Sequence, residues 1–577
     1  MMTGGKEILN TVARIRMVFF ILLCCGIIVA IRLFFLQIVS GPYYKTQASR
    51  QQNFSELLTP RRGEIYLRER SGELVPLATT KEGYLLYITP KTITDAESLY
   101  AKLKPILADS LDYEDYIARA LKKDDPYEVI LHKLDRRTVQ KIQELKIDET
   151  GISPEEWRVY PAKTMASNVV GFLGYHEDVL EGRYGIEKYY EDVLRGKTGY
   201  VEGSRSAGGI LINLGKSLFS PPEEGYDIVL TLEPNVQSFL EKKLSEVQKS
   251  WNPARGGGII IEPKTGKIIA MASFPNFDPN SYGKINNLQT FVNPLVENIF
   301  ELGSIFKPLT MAAGLNENII TPETTYIDRG FLILDGYKVK NHDEVAMGET
   351  TMQKVLEESL NTGAAFVADK LGNDRMKKYF ASYGLGEKTN ITLPGEVSGN
   401  LSSISTKRKV EFATASFGQG IAVTPIEFVR AASALANGGK LMEPYIVERV
   451  TRPGREDIIT MPKEIREVIR PETSEKISRM LVKVADDALL GGTIKFKNWT
   501  MAAKTGTAQL PLKNAKGYSD QYLHSFFGYA PGFDSRFLVF FFMENPRGVS
   551  FASQSFGKPF QETMQFLLTY YEVPPDR

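Results

Sequence analysis

The first strong pattern along the chain is a run with no alternation at all. Residues 17–31 carry no polar side chain, and with Arg32 and Gln37 as the interruptions the apolar run continues to Val39. Its 23 residues meet the roughly 20 that an α-helix needs to cross a bilayer. Lys6, Arg14 and Arg16 precede it against a single acid, Glu7, so the positive-inside bias puts residues 1–16 in the cytoplasm and the bulk of the chain outside. Arg32, near the outer end, can snorkel to the interface. A cleaved signal peptide is the alternative, but the run is longer than the usual apolar region and no Ala-x-Ala site follows it directly. The expectation is a retained single-pass anchor at 17–39.

Residues 45–220 are mixed in pattern and rich in charge, with helical spacing at 95–107 and 136–145. The run Ser220-Pro221-Pro222, followed by Glu223-Glu224-Gly225, reads as a domain boundary. Beyond it the periodicities sharpen. Residues 226–232 alternate as a strand, and Val236, Phe239, Leu240, Leu244 and Val247 recur at helical spacing. Residues 258–262 and 267–273 flank Pro263-Lys264-Thr265-Gly266, a β-hairpin pattern. A largely helical middle runs from 304 to about 439, and strands return at 500–508, 525–530 and 537–543 before a final helix at 560–571. Two strand groups separated by helices predict an α+β domain whose sheet is assembled from both ends of the segment.

Length and charge add bounds. The 577 residues call for two or three domains, and 70 basic against 69 acidic side chains give no reason to expect nucleic acid. His132, His176, His342 and His524 are scattered, and no metal-ligand spacing occurs. The two cysteines, Cys24 and Cys25, lie inside the apolar run, so a catalytic thiol or disulfide farther along is excluded. An extracytoplasmic enzyme of this composition needs another way to activate a nucleophile.

A serine beside a neutral lysine is one such way. Ser304-Ile305-Phe306-Lys307 is followed by Pro308, tolerable only in a first helical turn, and then by an apolar helix, so the helix begins near Ser304. Residues i and i+3 then share a face, and the helix N-terminus favours negative charge developing at Ser304. Ser-x-x-Lys recurs at 281 and 555, each with a glycine inside the turn and no long apolar helix directly after. Ser359-Leu360-Asn361 sits between two helix-like stretches, where Ser359 can relay a proton and Asn361 can hold an acyl amide and the lysine. Lys504-Thr505-Gly506-Thr507 lies on a strand. There an ammonium and hydroxyls can bind a carboxylate, the glycine lets substrate backbone lie close, and the Thr507 N–H can help form an oxyanion hole. Ser-x-Asn recurs at 250 and 398 and Lys-Thr-Gly at 197 and 264, so each motif alone says little.

The ordered trio at 304, 359 and 504 carries the information. It is the signature of serine β-lactamases and penicillin-binding proteins, and the chain resembles the class B penicillin-binding proteins, monofunctional peptidoglycan D,D-transpeptidases. Arg61-Arg62-Gly63-Glu64-Ile65-Tyr66, Gly185-Ile186-Glu187-Lys188, Gly384-Leu385-Gly386, Leu393-Pro394-Gly395-Glu396, Ser416-Phe417-Gly418-Gln419-Gly420 and His524–Pro531 are similar to passages of that family. Two departures stand out. Leu67-Arg68-Glu69-Arg70 replaces the usual Asp-Arg-Asn-Gly after Tyr66, and Leu360 stands where the class A pattern has Asp.

The resemblance implies an anchor, an elongated pedestal of the dimerisation type at 45–220 and a transpeptidase domain at 221–577, an antiparallel sheet flanked by helices as in serine β-lactamases. It implies that Ser304 attacks the penultimate D-Ala carbonyl of a stem pentapeptide and that an amine from a neighbouring stem resolves the acyl-enzyme. Lys307 would be the base, neutral through burial and the like charge of Lys504. Lys504, Thr505 and Thr507 would hold the terminal carboxylate, with the Ser304 and Thr507 N–H groups as oxyanion hole, and no metal or organic cofactor would be needed. β-Lactams would acylate the same serine, and a membrane glycosyltransferase of the shape, elongation, division and sporulation (SEDS) family would be the partner. A β-lactamase, a D,D-carboxypeptidase or a non-catalytic β-lactam sensor would carry the same trio. His524 and the run Phe540-Phe541-Phe542 read as structural.

Overall fold

A computed structural model describes residues 4–41, 53–177, 179–205, 211–212, 218–512 and 517–577. Residues 1–3 of the expected tail and 45–52 of the expected pedestal therefore lie outside the described residues. The chain groups into two compact units, residues 1–61 with 196–225 and residues 62–195 with 226–577.

The smaller unit contains the N-terminal helix Gly4–Phe34, which continues as a wide turn over Phe35–Val39. Its segment Ile15–Val39 has a mean hydropathy of 2.8 and is buried by nothing in the protein, which makes it a helix long and apolar enough to cross a membrane. The unit also holds a four-stranded antiparallel sheet, with Gly199–Arg205 between Asn53–Leu58 and Leu218–Ser220 and also paired to Leu211–Ile212. In this unit the backbones of Lys197 and Glu223 bond reciprocally at 2.8 and 3.0 Å.

In the larger unit a seven-stranded sheet joins distant parts of the chain. Its order runs Ile458–Ile459, Val447–Thr451, Asp227–Leu230, Ile65–Arg68, Leu74–Ile88 and Glu128–Leu134, with Thr150–Val159 also on the long strand. Asp227–Leu230 lies parallel to Ile65–Arg68 and antiparallel to Val447–Thr451. The helices predicted near 95–107 and 136–145 are Ala96–Leu107 and Arg136–Glu144, started by Asp95 and Asp135, whose carboxylates accept the free N–H groups of Ser98 and Thr138. Leu99, Leu103 and Leu107 recur every turn and fill a local core with Leu86, Ile88 and Val139.

The sheet beneath the candidate site is five-stranded and antiparallel, in the order Lys267–Phe274, Arg255–Glu262, Phe537–Glu544, Tyr518–Ala530, Ala502–Pro511. Both ends of the segment contribute, as the pattern predicts. Phe540, Phe541 and Phe542 are fully buried, because their central strand is covered on both faces. The helices Pro234–Trp251 and Ala552–Tyr570 pack on the sheet and on each other, with Phe239 and Phe566 stacked at 4.2 Å. Lys307–Asn316, Pro425–Ala436 and Pro471–Lys483 form the helical layer around the first motif. The middle is less helical than its composition suggests. Thr325–Asp328 pairs Gly348–Thr351, and Phe331–Leu334 pairs Tyr337–Lys340 around Asp335-Gly336, both at positive φ. An Asp-Gly pair between alternating residues is a hairpin signal.

Candidate active site

The Ser-x-x-Lys segment folds as a 3₁₀ turn, Gly303–Phe306, running directly into the helix Lys307–Asn316, with Pro308 in its first turn. Side chains three apart eclipse in a 3₁₀ turn, which sets Ser304 and Lys307 on one side. Ser304 is half-buried, whereas Lys307 is only 1% exposed. Among the described residues no hydrogen bond joins these two side chains. The Lys307 amine turns instead to the second motif, donating to the Ser359 carbonyl and, at 3.2 Å, to its hydroxyl.

The third motif meets the same hydroxyl. Lys504 Nζ donates to Ser359 Oγ at 3.0 Å and to the Thr505 carbonyl at 3.1 Å. Ser359 stands between the helices Met352–Glu357 and Asn361–Leu371 in the left-handed region, φ 58°, a conformation that costs a non-glycine residue about 1 kcal/mol or more and persists only where its surroundings impose it. A hydroxyl flanked by two amines can accept from one and pass its own proton to the other once that one is neutral. Burial, and secondly the Lys504 charge, push the Lys307 amine well below the usual lysine range. Burial brings Lys504 down to about 7. A carboxylate bound at Lys504 would draw it back toward the charged form and so press Lys307 further toward the neutral one.

The turn bearing Ser304 is clamped from both sides. Ser525 Oγ donates to the Leu302 carbonyl at 2.8 Å, and the Gly303 N–H donates to Gly418 O at 3.1 Å. Thr310 Oγ1 holds the Ser416 carbonyl at 2.9 Å, and the Lys307 amine lies 5.9 Å from the centre of the Phe417 ring. Gly506 has its reason here. A Cβ at 506 would lie 2.4 Å from Ser525 Oγ and 2.6 Å from Leu302 O, so its missing side chain admits the nucleophile turn. The collision is a reason for glycine beside the expected approach of substrate backbone to the strand. Ser525, Phe417 and Gly418 lie in passages whose family likeness was legible in sequence, but their roles depend on contacts across more than 100 residues.

The contact expected between Asn361 and Lys307 is absent among the described residues. The Asn361 amide donates to Lys340 O at 2.8 Å, on the hairpin Phe331–Leu334/Tyr337–Lys340, and does not hold Lys307. The Thr507 hydroxyl accepts the Ala552 N–H at 3.2 Å and so caps the last helix. Thr505 and Thr507 are half-buried on a strand at the sheet edge, where alternate backbone groups have no neighbouring strand. His524, opposite Thr507 in register, is fully buried with Nδ1 3.0 Å from Ser555 Oγ, and burial lowers it to about 4. It is a neutral packing residue. The spare Ser-x-x-Lys copies lie apart from this cluster, Ser281 in the 3₁₀ segment Pro279–Lys284 and Ser555 against His524.

The penicillin binding protein transpeptidase domain matches residues 256–565, and the penicillin-binding protein dimerisation domain matches residues 57–230. Stage V sporulation protein D of Bacillus subtilis (strain 168) is 30% identical over 549 residues, covering 93% of this chain and 83% of the relative. The peptidoglycan D,D-transpeptidase FtsI of Buchnera aphidicola subsp. Baizongia pistaciae is 26% identical over 579 residues, 98% of this chain and 96% of the relative. The crystal structure of penicillin binding protein 2X from Streptococcus thermophilus superposes with a TM-score of 0.74 at 21% identity, covering 89% of this chain and 80% of that one. With a dimerisation domain followed by a transpeptidase domain around the Ser304, Ser359 and Lys504 cluster, this chain belongs to the class B penicillin-binding proteins.

Proposed function

We propose that the protein is a peptidoglycan D,D-transpeptidase in which Ser304 is the nucleophile. The observation that carries the reading is the approach of two buried lysine amines to one hydroxyl, Lys307 at 3.2 Å and Lys504 at 3.0 Å from Ser359 Oγ. Lys307, kept neutral, takes the Ser304 proton as Oγ attacks the penultimate D-Ala carbonyl. Ser359 passes its hydroxyl proton to the departing D-Ala amine and takes in its place the proton held on Lys307, 3.2 Å away, which returns Lys307 to the neutral form. Lys504 and the Thr505 hydroxyl bind the terminal carboxylate, and the N–H groups of Ser304 and Thr507 receive the oxyanion. Gly506 keeps the turn in place, and Asn361 orients the acyl amide. An amine from a second stem peptide, deprotonated by the same relay, then attacks the ester, forms the cross-link and frees Ser304. None of these steps calls for a cofactor.

β-Lactams present a strained amide and a carboxylate to the same groups, so they acylate Ser304 and stop there. Residues 17–39 are the membrane anchor with the N-terminus cytoplasmic, residues 45–220 form the pedestal and 221–577 the transpeptidase domain. The run Ile15–Val39, which nothing in the protein buries, and the matches at 57–230 and 256–565 support this division. A chain that only cross-links needs polymerised glycan strands, which points to a glycosyltransferase in the same membrane, of the SEDS family, as partner.

The test is labelling of the detergent-solubilised full chain with a fluorescent penicillin. Stable covalent label that is lost in Ser304→Ala is expected, and label persisting in that variant would sink the assignment. Supplying a D-amino acid alongside a peptide donor separates transfer, seen as exchange product, from plain hydrolysis.

A further inference from the structure

The cleft over Ser304 has two walls, and they meet at more than its floor. One wall is the edge strand Ala502–Pro511, continued through the Thr507 hydroxyl to the Ala552 N–H at the start of the last helix. The other is the helix Asn361–Leu371 with the hairpin strand Tyr337–Lys340, joined by the Asn361 bond to Lys340 O. On the floor the walls are tied by Lys504 and Ser359 at 3.0 Å. At the rim they touch again: the rings of His342 and Phe551 meet edge to face, centroids 5.0 Å apart at 73°. Each ring lies within two residues of a group already placed at the site's edge, His342 two after Lys340 and Phe551 one before Ala552.

The loop that carries His342 is short and held at both ends by one side chain. The buried Asp328 carboxylate accepts from Asn341 Nδ2 at 3.1 Å and from the Met347 N–H at 3.0 Å, and residues 342–346 between these anchors are all exposed. Asp328 also accepts from Thr362 Oγ1 at 2.7 Å, next to Asn361. Within the loop Glu344 pairs with Lys338 and, at 2.8 Å, with Lys340, so the loop is tied to the strand behind it and any parting at the rim falls to the ring side chains. Phe551 is 40% exposed, and the ring it meets is that of His342.

We propose that the His342–Phe551 ring pair is a clasp that closes the cleft over Ser304 in the free protein and must part before an acyl donor reaches the serine, which makes these two residues determinants of access. The clasp rests on the transpeptidase reading of the same site. No bond is made or broken by it. An edge-to-face pair is weak enough to open on each encounter yet strong enough to set the closed population.

The full chain in detergent micelles provides the test, with the second-order rate of fluorescent-penicillin acylation as readout. Phe551→Ala and His342→Ala should each acylate about two- to ten-fold faster, the span set by the worth of one ring pair. Phe551→His places a second imidazole opposite His342, where two such rings can share a zinc ion. Zinc should then slow acylation of this variant, EDTA should restore it, and the double variant H342A/F551H should ignore zinc. Unchanged or slower rates in both alanine variants, or zinc indifference of F551H, would overturn the clasp. A wild type that takes no label would overturn the acyl-transfer reading itself, a result distinct from unchanged rates.

Discussion

At the scale of single residues the site is governed by two lysines that burial holds away from their ordinary charge. Lys307 is 1% and Lys504 2% exposed. A base must be neutral to take the serine proton, so the acylation rate should rise with pH through the lowered value of Lys307, far below 10.5. Burial is the larger cause and the Lys504 charge the second. Lys504→Ala should therefore move the rising limb of the acylation pH profile to higher pH, measurable in whatever activity remains. A limb that stays in place would show that the two amines do not sense each other. Stability carries the same signature. Between about 7 and 10.5 the folded Lys504 is neutral while its unfolded counterpart is charged, so the unfolded state binds more protons and stability rises with pH across that window. Lys504→Met should raise the melting temperature more at pH 6 than at pH 9.

At the scale of elements the question is what holds a short 3₁₀ turn against the edge strand. Gly506 is the tightest point, because a Cβ there would press on Leu302 O at 2.6 Å. Gly506→Ala should cut penicillin acylation by an order of magnitude or more while circular dichroism stays native, since the atoms a Cβ would strike, Leu302 O and Ser525 Oγ, are the ones that clamp the nucleophile turn. Normal acylation in that variant would show that the turn tolerates displacement. Residue types and spacing made the three motifs legible, and Pro308 located the helix start. The sequence pattern could not show why 506 is glycine, because the colliding atoms belong to Leu302 and Ser525. The Asp335-Gly336 hairpin, by contrast, was readable as alternation around a turn pair and was outweighed by the helical composition on either side.

At the scale of the whole large unit, its two sequence segments share one sheet, and the first of them, residues 62–195, holds a buried ion cluster. Glu187, fully buried, receives Arg62 at 2.7 Å and Arg158 at 2.7 Å, and the Tyr160 hydroxyl at 3.2 Å. Burial alone would raise that carboxyl, but the two guanidiniums outweigh it and hold it below the usual range. Its contribution is present above the ordinary carboxylate value of 4.5 and is lost as pH falls through the lowered one. Glu187→Ala leaves the buried Arg158 without its carboxylate and Arg62 with Glu191 alone, at 2.8 Å, and should cost about 3–5 kcal/mol. Because Ile65–Arg68 pairs Asp227–Leu230, the loss should appear as a lower melting temperature for residues 62–195 and 226–577 together. Two separate transitions, only one of them shifted, would contradict a shared cooperative unit.

The sequence by itself determined what short-range chemistry encodes: an apolar run long enough to span a bilayer, the α+β pattern with strands at both ends of the catalytic segment, and three motifs whose order carries the family likeness. Tertiary structure alone decided which copies of those motifs converge, that Lys307 and Lys504 both turn to Ser359, that Asn361 turns to the hairpin, and that residues 62–195 share a sheet with the segment after 226. The physical reason is range. Periodicity and capping act within a few residues, whereas desolvation of an amine, a collision at a glycine and the matching of a buried charge are properties of atoms brought together from separate elements of the chain, Lys307 and Ser359 or Gly506 and Leu302.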